Sequence, residues 1–164
     1  MATFREAFLP ALAQIRAQVV DAGMGLRRFS MYIRRVTPSD GRGGIGSTLT
    51  VVDTAVTEKP RVRVATERDV VRGGGMIEVG DYLIDRITPR NDGNTVGNVY
   101  TALDSGPSAP GQRVFVVLAG PGFPPYVAGT PPSGGGLFTI KGRDATKNFE
   151  FRFVLAPVVG AERL

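Results

Sequence analysis

In "RRFSMYIRRV", residues 27–36, Phe29, Met31 and Ile33 alternate with Ser30, Tyr32 and Arg34. A period of two puts the apolar set on one face of an extended strand and the polar set on the other. Strand signals dominate the rest of the chain as well. "STLTVVDTAVTEKP" is rich in Thr and Val, and Val62 and Val64 alternate with Arg61 and Arg63. "GGGMIEVGDYLIDRITP" predicts a short strand, a turn at Gly80-Asp81, and a further strand through Leu83 to Ile87. "RNDGN" carries an Asp-Gly turn signal, and the "TVGNVYTAL" after it reads with the strands. "GQRVFVVLAG" reads as a central, mostly apolar strand. "GLFTIKGR" and "NFEFRFVLAP" form a closing hairpin around "DATK", with Phe149, Phe151 and Phe153 on one face.

Seven to nine short strands between Gly- and Pro-rich breaks predict a mainly β fold, a small barrel or sandwich. The chain's 22 Gly and 12 Pro serve as punctuation between patterned segments, and 164 residues suffice for one domain with a real core. Only the start departs from this. Phe4, Phe8, Leu12, Ile15 and Val19 recur at spacings of three and four, so they share one helical face. Thr3 and Glu6 have capping-box spacing, and Gly23 and Gly25 end the pattern. Pro10 implies a kink, or a helix that begins near Leu9. The predicted organisation is an N-terminal helix over 1–25 and a β-barrel domain over 26–164. Two long loops remain, 37–47 and 119–136. Segments of that length are usually binding elements or disordered.

The chain contains no Cys and no His. It therefore has no disulfide, no thiolate nucleophile, no Ser-His-Asp triad and no imidazole ligand for zinc. No enzymatic role and no cofactor is expected. No apolar run approaches the length that spans a bilayer, and "MATFREAFLPALAQIRAQVV" lacks the basic start and clean apolar core of a signal peptide. No membrane partner is expected.

The net charge is +5. Residues 1–72 carry 12 basic and 7 acidic side chains, against 8 and 8 in residues 73–164, so the first half holds the whole excess. Arg outnumbers Lys 17 to 3, and its planar fork suits interface ion pairs and phosphates alike. Arg61, Arg63, Arg68 and Arg72 crowd a short span with Glu58, Glu67 and Asp69. Mixed signs there favour ion pairs, between subunits or within the chain, over a uniform nucleic-acid stripe, and the aromatic residues that stack bases are missing.

One stretch looks like a cofactor site. Gly41-Arg42-Gly43-Gly44-Ile45-Gly46 fits G-x-G-x-x-G, a dinucleotide fingerprint that needs a strand before it and a helix after it. The run after it, "STLTVVDTAV", is loaded with β-branched residues and predicts a strand. Without the helix N-terminus there is nothing to hold a pyrophosphate. What remains is a flexible, Arg-bearing loop between two strands. Asp81 and Asp85, four residues apart, would share a face of a continuous strand, but they read more simply as a turn acid and an ion-pair acid.

The layout of "PSDGRGGIGS", "VVDTAVTEKPRVRVATERDVVRGGGMIEVGDYLIDRITP", "FVVLAGPGFPPYVAG" and a terminal "FEFRFVLAP" resembles small neck proteins of tailed bacteriophages, of the head-closure (stopper) or head–tail connector type. The likeness spans roughly residues 27–156 and leaves the N-terminal helix unplaced. It implies a homo-oligomeric ring in the virion neck, made in the host cytoplasm and seated between a portal or adaptor protein and a tail-terminator or tail-tube protein. Packaged DNA passes through the channel of such a ring, which joins head to tail and can help retain that DNA. No catalytic residue comes with the resemblance. Carried onto this chain, it makes Arg42, Gly43, Gly44, Ile45 and Gly46 a candidate channel or ring-contact loop. Phe123, Pro124, Pro125 and Tyr126 become a candidate docking loop, and Arg61, Arg63, Glu67, Arg68 and Asp69 candidate intersubunit ion pairs. The alternatives are a tail-terminator ring and, in a different class, a nucleic-acid-binding β-barrel module.

Overall fold

A computed structural model describes Ala11 and residues 28–87, 99–147 and 150–159. Apart from Ala11, the helix expected over 1–25 lies outside the described residues, as does Phe149. The fold is mainly β. Among the described residues, seven strands are β1 (Ser30–Pro38), β2 (Leu49–Val56), β3 (Val62–Val64), β4 (Tyr82–Ile87), β5 (Arg113–Ala119), β6 (Gly136–Lys147) and β7 (Glu150–Pro157). They form one antiparallel sheet in the order β2-β1-β5-β6-β7-β4-β3.

The predicted alternation is what packs this sheet. Phe29, just before β1, and Met31 and Ile33 on it lie in one buried cluster with Val56, Val62, Ile84, Val116, Leu118, Phe138, Phe153 and Leu155. That cluster draws on every strand, including both edges, so the sheet curls around its own core. The curl brings the start of β1 to the start of β3. Phe29 N–H donates to Pro60 O at 3.3 Å, and Arg28 and Arg61 form an isolated bridge. The sheet is not closed into a barrel. Two smaller clusters cover its outer face: Val36, Phe115, Val117, Leu137 and Val158 on one side, and Ile77, Leu83 and Val154 on the other.

Two short helices, α1 (Glu67–Arg72) and α2 (Val99–Asp104), stand where the sequence suggested none. Thr66 caps α1 in a capping box with Asp69, and Val70 packs on the Ile77 cluster. "MIEV" is not a strand, because Gly73–Asp81 turns the chain from α1 into β4. The end of "TVGNVYTAL" is helical, with Val99 and Leu103 buried in the main core. The closing hairpin is present, but "DATK" belongs to β6 rather than to its turn.

Candidate functional site

The β1–β2 connection, residues 39–48, is a loop built around one carboxylate. Asp40 Oδ1 accepts from the backbone N–H of Arg42 at 2.8 Å and of Gly43 at 2.7 Å, and from Ser47 Oγ at 3.0 Å. Its Oδ2 accepts from Gly44 N–H at 3.0 Å. These bonds favour the ionised form, led by the Arg42 and Gly43 amides, and bring the Asp40 carboxyl down to about 2. At the loop's base, Gly111 lies so close that a Cβ there would meet Gly41 O at 2.2 Å, so only glycine lets the two segments touch.

The glycine fingerprint does not have the geometry of a dinucleotide site. The amides that would cradle a phosphate are already taken by Asp40, and the next element is strand β2, with no helix to follow. The loop is also tied from within, since Asp40 binds three of its amides and the Ser47 hydroxyl. Of the candidate contact residues, Arg42, Gly43, Gly44 and Gly46 are exposed, and Ile45 stands fully in solvent at 111% of its reference exposure.

The second long loop, between β5 and β6, is pinned to the sheet. Phe123 packs at 5.8 Å from Phe29, 5.9 Å from Tyr82 and 5.7 Å from Phe138, centroid to centroid. Tyr126 stacks on Tyr32 at 4.1 Å. Burial raises the Tyr126 hydroxyl above its ordinary value, and the negative Asp53, to which it is hydrogen-bonded, raises it further. Beneath this cover, Arg34 on β1 and Asp53 on β2 form a two-pronged ion pair at 2.8 and 2.9 Å, with side chains only 4% and 2% exposed. Gly134 (φ 80°) folds the loop back on itself, where a Cβ would meet Pro125 O at 1.7 Å. Of the four candidate docking residues, Phe123 and Tyr126 face the fold, while Pro124 and Pro125 face solvent.

The candidate ion-pair residues divide in the same way. Arg63 binds Asp69 with two nitrogens, at 2.6 and 2.9 Å, and binds Asp85 through Nε at 2.5 Å. Arg152 holds the other oxygen of Asp85 at 2.6 Å. Hydrogen bonding to Arg63 holds the Asp69 carboxyl well below the usual range, and the same contact raises Arg63. Both residues therefore work within the chain, tying β3, β4, β7 and α1 together. Arg61 is half-buried at the Arg28 bridge, and Glu67 and Arg68 are exposed on α1. Asp81 and Asp85 do not share a site. Asp81, 4% exposed, accepts from Glu78 N–H and from Lys141 Nζ, both at 2.9 Å. Among the described residues, no three acids gather as a metal site would require.

A shallow groove of about 480 Å³ lies between α2, β5, β6 and β7, lined in part by Ser105, Val114, Ile140 and Arg143. Arg143 is already held by Asp104 at 2.6 Å and by the Tyr100 hydroxyl.

The feature that sequence reasoning missed is the sheet's open border. Among the described residues, β2 pairs only with β1, so its other side is unpaired along eight residues. Leu49 and Val52 on it are 42% and 54% exposed. The ordered loop with Ile45 at its tip runs straight into this strand. Asp40 carried a legible signal, since Asp before Gly is a common turn anchor. The edge position of β2 carried none, because strand order is set by distant partners. No protein-family model, no curated protein sequence and no solved structure matches the chain.

Proposed function

We propose that this chain is a structural subunit of a tailed-bacteriophage neck, a head-closure or connector ring between portal and tail. The observation that carries the reading is a surface prepared for assembly. The Asp40 loop, tied through three of its own amides, presents Ile45 and Arg42 beside an edge of β2 that is unpaired among the described residues. Single exposed apolar residues are common, but a fully exposed Ile on a loop anchored at four points is preorganised for contact. The segment layout that resembles neck proteins supplies the class of partner. In the ring, loop 39–48 meets a neighbouring subunit or the channel DNA, and the outer faces seat the portal and tail proteins.

The nucleic-acid-module reading draws on the basic first half of the chain. Arg34 and Arg63 of that half are spent on Asp53, Asp69 and Asp85. They are not available as a phosphate-binding stripe.

The test is co-expression of the full chain with tailed-phage portal, tail-terminator and tail-tube proteins, taken from its own gene neighbourhood if that encodes them, followed by electron microscopy of the purified assembly. A ring at the portal–tail joint is the expected result, and its neighbours distinguish connector from tail terminator. A chain that joins none of these proteins, and instead binds free DNA with an affinity that falls steeply in salt, would overturn the proposal.

A further inference from the structure

The open edge of β2 has a direction and a register. Ser39 N–H donates to Thr48 O at 2.8 Å, which marks that opposed pair as hydrogen-bonded to each other. In an antiparallel ladder such pairs alternate with pairs whose N–H and C=O point away. Thr50, Val52, Thr54 and Val56 therefore bond to β1, while Leu49, Val51, Asp53 and Ala55 turn their backbone groups outward. The opposite edge, β3, is only three residues long, and the bond from Phe29 to Pro60 O closes off its start. Edge strands usually carry a Lys, a Pro or a bulge that blocks addition of another strand. "LTVVDTAV" has none of these, and its register with β1 is unbroken.

We infer that β2 pairs with β2 of a second copy of this chain, antiparallel about a two-fold axis at Val52. The strand's own sequence argues for that occupant. In this register Val52 faces Val52 of the second copy, Thr50 faces Thr54, Val51 faces Asp53 and Leu49 faces Ala55. Every outward N–H and C=O from Leu49 to Ala55 finds a partner. Leu49 and Val52, the two exposed large apolar side chains of the strand, become covered. Its single charged residue, Asp53, is neutralised by Arg34 on its own chain and stands opposite Val51, so no like charges meet. Sliding the axis to Asp53 would set carboxylate against carboxylate. This dimer does not depend on the neck reading. A two-fold contact closes at two copies, whereas a ring needs two different surfaces, so the dimer belongs to the isolated protein and either idea can fail alone.

Sedimentation of the purified full chain over a concentration series should show a monomer–dimer equilibrium. Ala55→Pro removes an outward N–H from each copy and leaves the β1 ladder intact. Val52→Lys sets two ammonium groups face to face at a position already half in solvent. Each should weaken dimerisation on the order of tenfold to a hundredfold, with the circular dichroism spectrum unchanged. Amide exchange on the unmodified protein gives the second readout. The N–H groups of Val51, Asp53 and Ala55 should be protected at high concentration and lose protection on dilution, while Val52 and Thr54 stay protected throughout. A chain that is monomeric at every concentration overturns the inference. So does a dimer in which the N–H groups of 51, 53 and 55 exchange freely.

Discussion

The two long loops are alike in sequence and opposite in structure. Both are rich in glycine, and both join neighbours in the chain across a turn. Loop 39–48 is anchored from within: Asp40 binds three of the loop's own amides and a hydroxyl, and the one large apolar side chain, Ile45, points outward. The β5–β6 loop is anchored from without, because Phe123 packs against the main core while Tyr126 stacks on Tyr32 beside the buried Arg34–Asp53 pair. A loop held by a carboxylate keeps its side chains free for a partner. A loop held by its aromatic rings has used them. Substitutions in the second should therefore register as stability, and substitutions in the first as local order or assembly.

The sharpest break of that contrast lies under the β5–β6 loop. Asp53→Ala leaves Arg34 buried without its counter-charge and removes the acceptor for Tyr126. Losing one partner of a buried pair costs about 3–5 kcal/mol, read as a lower midpoint in urea unfolding. Phe123→Ala comes next. It removes a ring that touches Phe29, Tyr82 and Phe138, but one that is only half-buried, so the loss should be about 2–3 kcal/mol. If either variant unfolds at the same midpoint as the parent chain, the loop is not part of the core.

The contrast between the loops was only partly legible in the sequence. Strands β1, β2 and β5 and the core face of β7 were readable because alternation and β-branched residues act locally. Helix α1 was not, since six residues of mixed charge looked like an ion-pair cluster. Its available signal was Thr66 followed at the third position by Asp69, a capping box with Asp in place of the usual Glu. Arg34 and Asp53 are 19 residues apart, and only the β1–β2 register makes them neighbours. The ring positions of Phe123 and Tyr126 depend on contacts even more distant, with Phe29 and Tyr32. Long-range pairing thus decides which aromatic residues are free. Loop length, glycine content and the family layout make Phe123 and Tyr126 docking candidates, and none of these tells which rings the fold has already used.

Loop 39–48 should respond in a different register. Asp40 is fully exposed, so its bonds order the loop without adding measurably to global stability. Asp40→Ala should leave the unfolding midpoint in place while the amides of Arg42, Gly43 and Gly44 exchange much faster. The pH dependence has a definite sign. The carboxyl lies lower in the folded loop, about 2, than its ordinary 3.8. The order it confers is therefore complete above about pH 4 and is lost as pH falls through the folded value. A carbon-detected titration of Asp40 with a midpoint near 3.8 would show that the amides are not bound. Ile45→Ser should likewise leave stability nearly unchanged, within about 0.5 kcal/mol of the parent, because an exposed side chain leaves no cavity. If the loop is preorganised for a partner, this same substitution should reduce recovery of the chain in assembled particles more than Phe123→Ala does per unit of folded protein. Equal recovery of Ile45→Ser and parent chain would mean that the ordered tip contacts nothing, and the comparison between the two loops would then be one of folding alone.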